Sequence, residues 1–104
     1  MSDDRYGFNT NYEAVAASQS DQVMGAAGAV GHLLERVIIT VATAATGTCS
    51  IKDGNGSAIP LTAANTPIGV YIVEIGARCS ATTTPGWKIT TGAGATAIGV
   101  GRFQ

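Results

Sequence analysis

Charge is scarce in this chain. Asp, Glu, Lys and Arg make up 12% of its 104 residues, and the net charge is −1. That is about half the usual charged share. No run of Lys or Arg exists, so nothing draws the chain electrostatically to nucleic acid or to an anionic membrane surface. Neither nucleic acid nor a membrane is expected as a partner. The most apolar window, from Val23 to Ala45, is broken by His32, Glu35 and Arg36. It also contains Gly25, Gly28 and Gly31, and does not read as a membrane span. The opening residues, Met1-Ser2-Asp3-Asp4-Arg5, are acidic and no apolar core of adequate length follows. No secretory leader is expected.

Histidine occurs once, as His32, and cysteine twice, as Cys49 and Cys79. A zinc site needs about four nitrogen, sulfur or oxygen ligands, more than one His and two distant Cys supply. A nucleophile–base–acid triad would need His32 beside a serine in a recognisable frame such as G-x-S-x-G, and no such frame is present. No catalytic residue, metal ligand or cofactor is expected, and the chain does not read as an enzyme. The cysteines read as small apolar residues in a reducing compartment. A disulfide would need their Cα atoms within about 7 Å, which spacing alone does not set. Glu35, Arg36 and Glu74 interrupt apolar runs and read as ion pairs on a strand face or a subunit interface. The residues that dominate ordinary soluble helices, Leu, Glu, Lys and Arg, are few.

Small and β-branched residues take their place, with 14 glycines among them. The strongest local signal is Ser50-Ile-Lys-Asp-Gly-Asn-Gly-Ser-Ala-Ile59. Asp53-Gly54 and Asn55-Gly56 are both hairpin-turn dipeptides, set between short β-favouring runs. A loop over Gly54-Asn55-Gly56 pairs Ile51 with Ile59 and Cys49 with Leu61, apolar opposite apolar. Gly56 would then hold the left-handed position of a bulged turn.

Further strands are expected over Ser18–Val23, His32–Val41, Gly69–Ile75, Trp87–Thr91 and Ala95–Phe103. In the second of these, Leu33, Val37, Ile39 and Val41 share one face, with Glu35 breaking the row. Arg36, Ile38 and Thr40 lie opposite with Leu34. Apolar residues on both faces suggest a strand that packs in the core and also against a partner or an arm. Three glycines argue against a helix over 22–36.

The spacing predicts an all-β chain: a small antiparallel β-sandwich or jelly-roll-like barrel of six to seven short strands. Residues 1–17 differ from the rest. Tyr6, Phe8 and Tyr12 sit there among polar residues without a strand or helix period. These residues read as an extended N-terminal arm whose aromatics anchor in a partner's pockets, followed by a β-sandwich domain over 18–104. Trp87, after Pro85-Gly86, either caps the core or forms an interface anchor. The weakly charged surface suits a subunit that lives in an assembly.

Two apparent motifs lack their context. Gly92-Ala-Gly94-Ala-Thr-Ala97 has the glycines of a dinucleotide loop, but no helix can follow it before the chain ends. It reads as a glycine turn. Asp53-Gly-Asn55-Gly56 resembles the start of a calcium loop, but position 12 is Ala64, where a Glu is needed.

Several segments together resemble small head structural proteins of tailed bacteriophages. They are Ser18-Gln-Ser-Asp-Gln-Val-Met-Gly25, Gly28-Ala-Val-Gly31, Leu33–Val41, Ser50–Ile59 and Gly86-Trp-Lys-Ile-Thr-Thr-Gly92. The likeness covers roughly residues 18–103. It implies a capsid decoration, or cement, protein: a β-sandwich, jelly-roll or β-tulip fold without catalytic residues. Such a protein binds the outside of the shell and bridges capsomers. The expected partners are the major capsid protein and further copies of the chain, as a homodimer or homotrimer. The expected location is the virion surface, after assembly in the host cytoplasm. Candidate partner-binding residues are Tyr6, Phe8, Tyr12, Tyr71 and Trp87. Another virion subunit (tail, neck or fibre base) and a carbohydrate-binding β module are the alternatives.

Overall fold

A computed structural model describes residues 11–25, 33–43, 47–54, 56–79 and 86–102, and among these every regular element is a strand. The strands are β1 (Asn11–Val15), β2 (Gln22–Val23), β3 (Leu33–Val41), β4 (Cys49–Asp53), β5 (Ile59–Thr62), β6 (Gly69–Arg78), β7 (Trp87–Thr90) and β8 (Ala95–Arg102). They form two antiparallel sheets, ordered β1-β8-β3-β6 and β2-β7-β4-β5. Both sheets feed one core: Val15, Leu34, Val37, Ile39, Val41, Ala95 and Ala97 from the first meet Ile51, Trp87 and Ile89 from the second. Among the described residues there are eight strands, against the expected six to seven. The additional strand is β1, which lies inside the stretch read as an arm.

Alternation in β3 changes parity at one point. Strict alternation from Leu33 would send Glu35 into the core beside Val37. Between Leu34 and Arg36 the register shifts against both neighbours. Leu34 is therefore buried with Val37, Ile39 and Val41, while Leu33 is only partly covered. The bulge spares the core an ionised carboxylate. Glu35 instead faces Arg102, with the charged atoms 3.7 Å apart. Opposite the bulge, Ile75 and Gly76 span the space of one β3 residue, and Gly76 takes a left-handed φ of 63°. On the other side Gly101 lies so close that a Cβ there would collide with the Leu33 carbonyl oxygen.

The hairpin pairs Ile51 with Ile59 as its apolar pattern requires. One step on, a bulge between Cys49 and Ser50 makes Thr62, not Leu61, the partner of Cys49. Gly54 is left-handed at φ 61°, and Gly56 N–H donates to the Asp53 carbonyl at 2.9 Å. Asn55 lies outside the described residues. Pro60 is tolerated in β5 because that strand is a sheet edge, where a missing N–H need not break a ladder. The glycines at 92 and 94 form the turn into β8, with Gly94 at φ 79°.

Only Gln22–Val23 of the segment expected as an edge strand over 18–23 is strand. The residues before it turn a corner between the sheets. Thr91, itself buried, donates its hydroxyl to Ala16 O at 2.6 Å and accepts from Gln19 N–H at 3.0 Å. Ser18 and Asp21 take left-handed φ values there, and Asp21 N–H donates to Thr90 Oγ1 at 2.9 Å.

Candidate functional site

The outward face of the sheet β1-β8-β3-β6 carries most of the exposed large apolar side chains. Pairing aligns them in rows across the strands. Ala14, Ile98, Ile38 and Ile72 are successive neighbours in one row. Tyr12, Val100, Arg36 and Glu74 form the next, and Thr96, Thr40 and Val70 a third. Tyr12 is 72% exposed, Val70 64% and Ile72 62%. Alternation forces this arrangement: with Val37, Ile39, Ala95 and Ala97 turned inward, the residues between them must face out. The apolar members of the three rows, Tyr12, Val100, Ile98, Ile38, Ile72 and Val70, neighbour one another on this face, with Arg36, Glu74, Thr40 and Thr96 set among them.

Beside β1 the face dips into an open groove of about 440 Å³ lined by Asn11, Tyr12, Ile38, Ile98 and Val100. Its lining comes from both ends of the chain, because β1 and β8 pair, with Tyr12 opposite Val100. The face is nearly uncharged. Arg36 and Glu74, opposite each other in the β3–β6 register, are bridged at 3.2 Å and neutralise one another. An apolar, electrically quiet surface can recognise another apolar surface.

Polar chemistry elsewhere serves the scaffold. Lys52 Nζ donates to Asp21 Oδ2 at 3.1 Å, and Thr90 Oγ1 donates to Asp21 Oδ1 at 3.1 Å. The bond from Lys52, then that from Thr90, holds the Asp21 carboxyl below its ordinary value. Glu13 receives Gln22 Nε2 and Gly25 N–H, each at 2.9 Å, and ties β1 to the chain around β2. The two cysteines are buried and form no disulfide; the Cys79 thiol donates to Asp53 Oδ1 at 2.9 Å. Among the described residues no three His, Cys, Asp or Glu side chains group as metal ligands. His32 lies outside the described residues.

The expected partner-binding residues separate. Tyr12 stands on the groove. Tyr71 is half-buried on the inward side of β6 and donates its hydroxyl to Pro67 O at 2.7 Å. Trp87 is 4% exposed and donates its indole N–H to Ala77 O at 3.2 Å, so it fills the core and presents no surface. That corrects its candidacy as an interface anchor. Tyr6 and Phe8 lie outside the described residues. Sequence reasoning missed Ile98, Val100 and Ile72 as surface residues; their signal was a second apolar set in strands already apolar on the core side.

No protein-family model, curated protein or solved structure matches the chain.

Proposed function

We propose that this chain is a structural virion protein of a tailed phage. It binds the outer surface of the shell as a decoration, or cement, protein and bridges neighbouring capsomers. The observation that carries the reading is the apolar, nearly uncharged outer face with its groove at Tyr12, Ile38, Ile98 and Val100. Support also comes from the strand order. β1-β8-β3-β6 facing β2-β7-β4-β5 is the order of a jelly roll, an architecture used repeatedly in viral capsids. The third support is the resemblance borne by the segments from Ser18 to Gly92. The major shell protein is the proposed partner, and no catalysis or cofactor is assigned.

Residues 1–10 precede Asn11 at the groove, and we assign Tyr6 and Phe8 to a further shell contact. Ten residues span at most about 33 Å. Repetition over the shell multiplies weak contacts through effective concentration. A carbohydrate-binding role drew on Trp87 and Tyr71 as an exposed platform; burial of the first and half-burial of the second remove that motive.

The test uses expanded shells of the encoding phage, prepared without this protein. The wild-type chain should co-sediment at hundreds of copies per shell. Ile98→Lys, at an exposed position, should lower apparent affinity at least tenfold while the fold stays intact. Failure of the wild type to bind overturns the decoration reading. Binding at six or twelve copies assigns the chain to a neck or tail ring instead. Undiminished binding of Ile98→Lys removes the groove from the contact.

A further inference from the structure

The four sheet edges of this sandwich are unequal. Three are blunted in the ways natural proteins use against edge-to-edge association. β1 has five residues, β2 has two, and β5 has four with Pro60 among them. The fourth, β6, has ten residues from Gly69 to Arg78, with no proline and no lysine. Among the described residues no strand pairs with its outer side. At ~3.3 Å per residue it is a ladder of about 33 Å, and an uncovered backbone ladder of that length is a template for another strand.

The side chains on this edge select the occupant. Ile68, Val70 and Ile72 are 66%, 64% and 62% exposed, which is costly on a free edge and favourable beside another apolar strand. Beyond Ile75 the Gly76 bulge bends the strand, so the straight part is Gly69–Glu74, with Ile68 just before it. That segment is compatible with a copy of itself. With two copies antiparallel and Tyr71 at the twofold axis, Val70 of each copy lies opposite Ile72 of the other. A register centred on Glu74 sets two carboxylates face to face. One centred on Ile72 sets Val70 against Glu74. Within the strand the Tyr71 register sets Val70 against Ile72 in both directions, and Glu74, which falls opposite Ile68 just before the strand, keeps Arg36 as its partner.

We infer that β6 is a self-association edge: two copies join their first sheets through antiparallel β6 strands into one continuous eight-stranded sheet. The apolar row Ala14-Ile98-Ile38-Ile72 then runs on into the same row of the second copy. The arrangement is isologous, as a closed twofold dimer requires. The buried area is of the small class, so dimerisation depends on protein concentration. The inference stands on the strand edge alone, and its test contains no shells. Its failure leaves the shell-binding reading untouched, and the reverse also holds.

Sedimentation velocity over a hundredfold concentration range should show the wild type passing from monomer to dimer. Ile72→Lys and, independently, Val70→Lys should remain monomeric at the highest concentration. Both positions are exposed, and circular dichroism checks that each variant is folded. Ile98→Lys, on the same face but two strands from the edge, should dimerise like the wild type. Register is read by oxidising an equal mixture of Val70→Cys and Ile72→Cys chains, which should cross-link more than either variant alone. A wild type that is monomeric throughout overturns the inference. Loss of the dimer in Ile98→Lys assigns association to the sheet face and also overturns it. Cross-linking of either single variant as strong as the mixture overturns the register.

Discussion

Gly99 in β8 and Met24 after β2 occupy the same space from opposite sides of the core. A Cβ at position 99 would sit 2.7 Å from Met24 Sδ and 3.0 Å from Ile89 Cδ1. Ordinary contacts between such atoms lie near 3.5–4.0 Å, so the sulfur would have to withdraw by about 1 Å. Met24 is fully buried, which leaves it little room. Gly99→Ala should therefore cost about 1–3 kcal/mol as overpacking, although alanine suits a strand better than glycine. Met24→Ala removes three heavy atoms from the core and should cost about 2–4 kcal/mol in transfer and cavity terms. In the double variant the new methyl enters the space that the thioether leaves, and only the Ile89 contact remains tight. The added cost of Gly99→Ala should then fall towards zero, a favourable coupling of about 1–3 kcal/mol. Urea unfolding of the four proteins, followed by far-UV circular dichroism with slopes compared, measures it. Additive effects within about 0.5 kcal/mol would refute the packing of Met24 against β8. They would also refute the contact between the chain after β2 and the first sheet.

Two further outcomes follow from the core and the corner. Trp87 fluorescence should be blue-shifted and shielded from acrylamide, shifting red on unfolding; Trp87→Ala should cost about 3–5 kcal/mol by thermal or chemical denaturation. Asp21, held below its ordinary value by Lys52 and Thr90, contributes stability that is fully present above the unfolded carboxyl value near 3.9. This contribution is lost as pH falls through the lower folded value. The group is more than a third exposed, so the contribution is small, and the loss of stability on acidification should be shallower in Asp21→Asn than in the wild type. Equal acid profiles for the two proteins would remove the Asp21–Lys52 bond from the account.

Much of the fold is legible in local pattern. The run from Leu33 to Val41, the turn at Asp53–Gly56 and the alternation in Trp87–Thr90 specify strands because their periods and turn residues are local properties. The pairing of Ile51 with Ile59 follows from turn length and apolar matching. The apolar residues on both faces of β3 are also legible, one set buried in the core and the other on the outer face. What local pattern misreads has a common cause. It placed Leu33 in the core because it assumed unbroken alternation; one bulged residue inverts the parity of everything before it. It placed Tyr12 on an arm because β1 has no pattern of its own strong enough to declare a strand. Asn11–Val15 is a strand because β8, more than eighty positions later, offers it an edge.

The sequence by itself determined an antiparallel β chain with weak charge, no recognisable catalytic frame and a surplus of apolar β-branched residues. Those are consequences of composition and short-range periodicity. Tertiary structure alone decided which strands became neighbours, that Trp87 is inside, and that Tyr12 and Val100 share a groove. It also decided that β6 keeps its full length at an edge. The physical reason is the range of the interactions. Turn and alternation preferences act over a few residues. Strand partners and the choice of buried face are settled by closing a core between segments far apart in the chain, where the gain lies in packing that no single segment encodes.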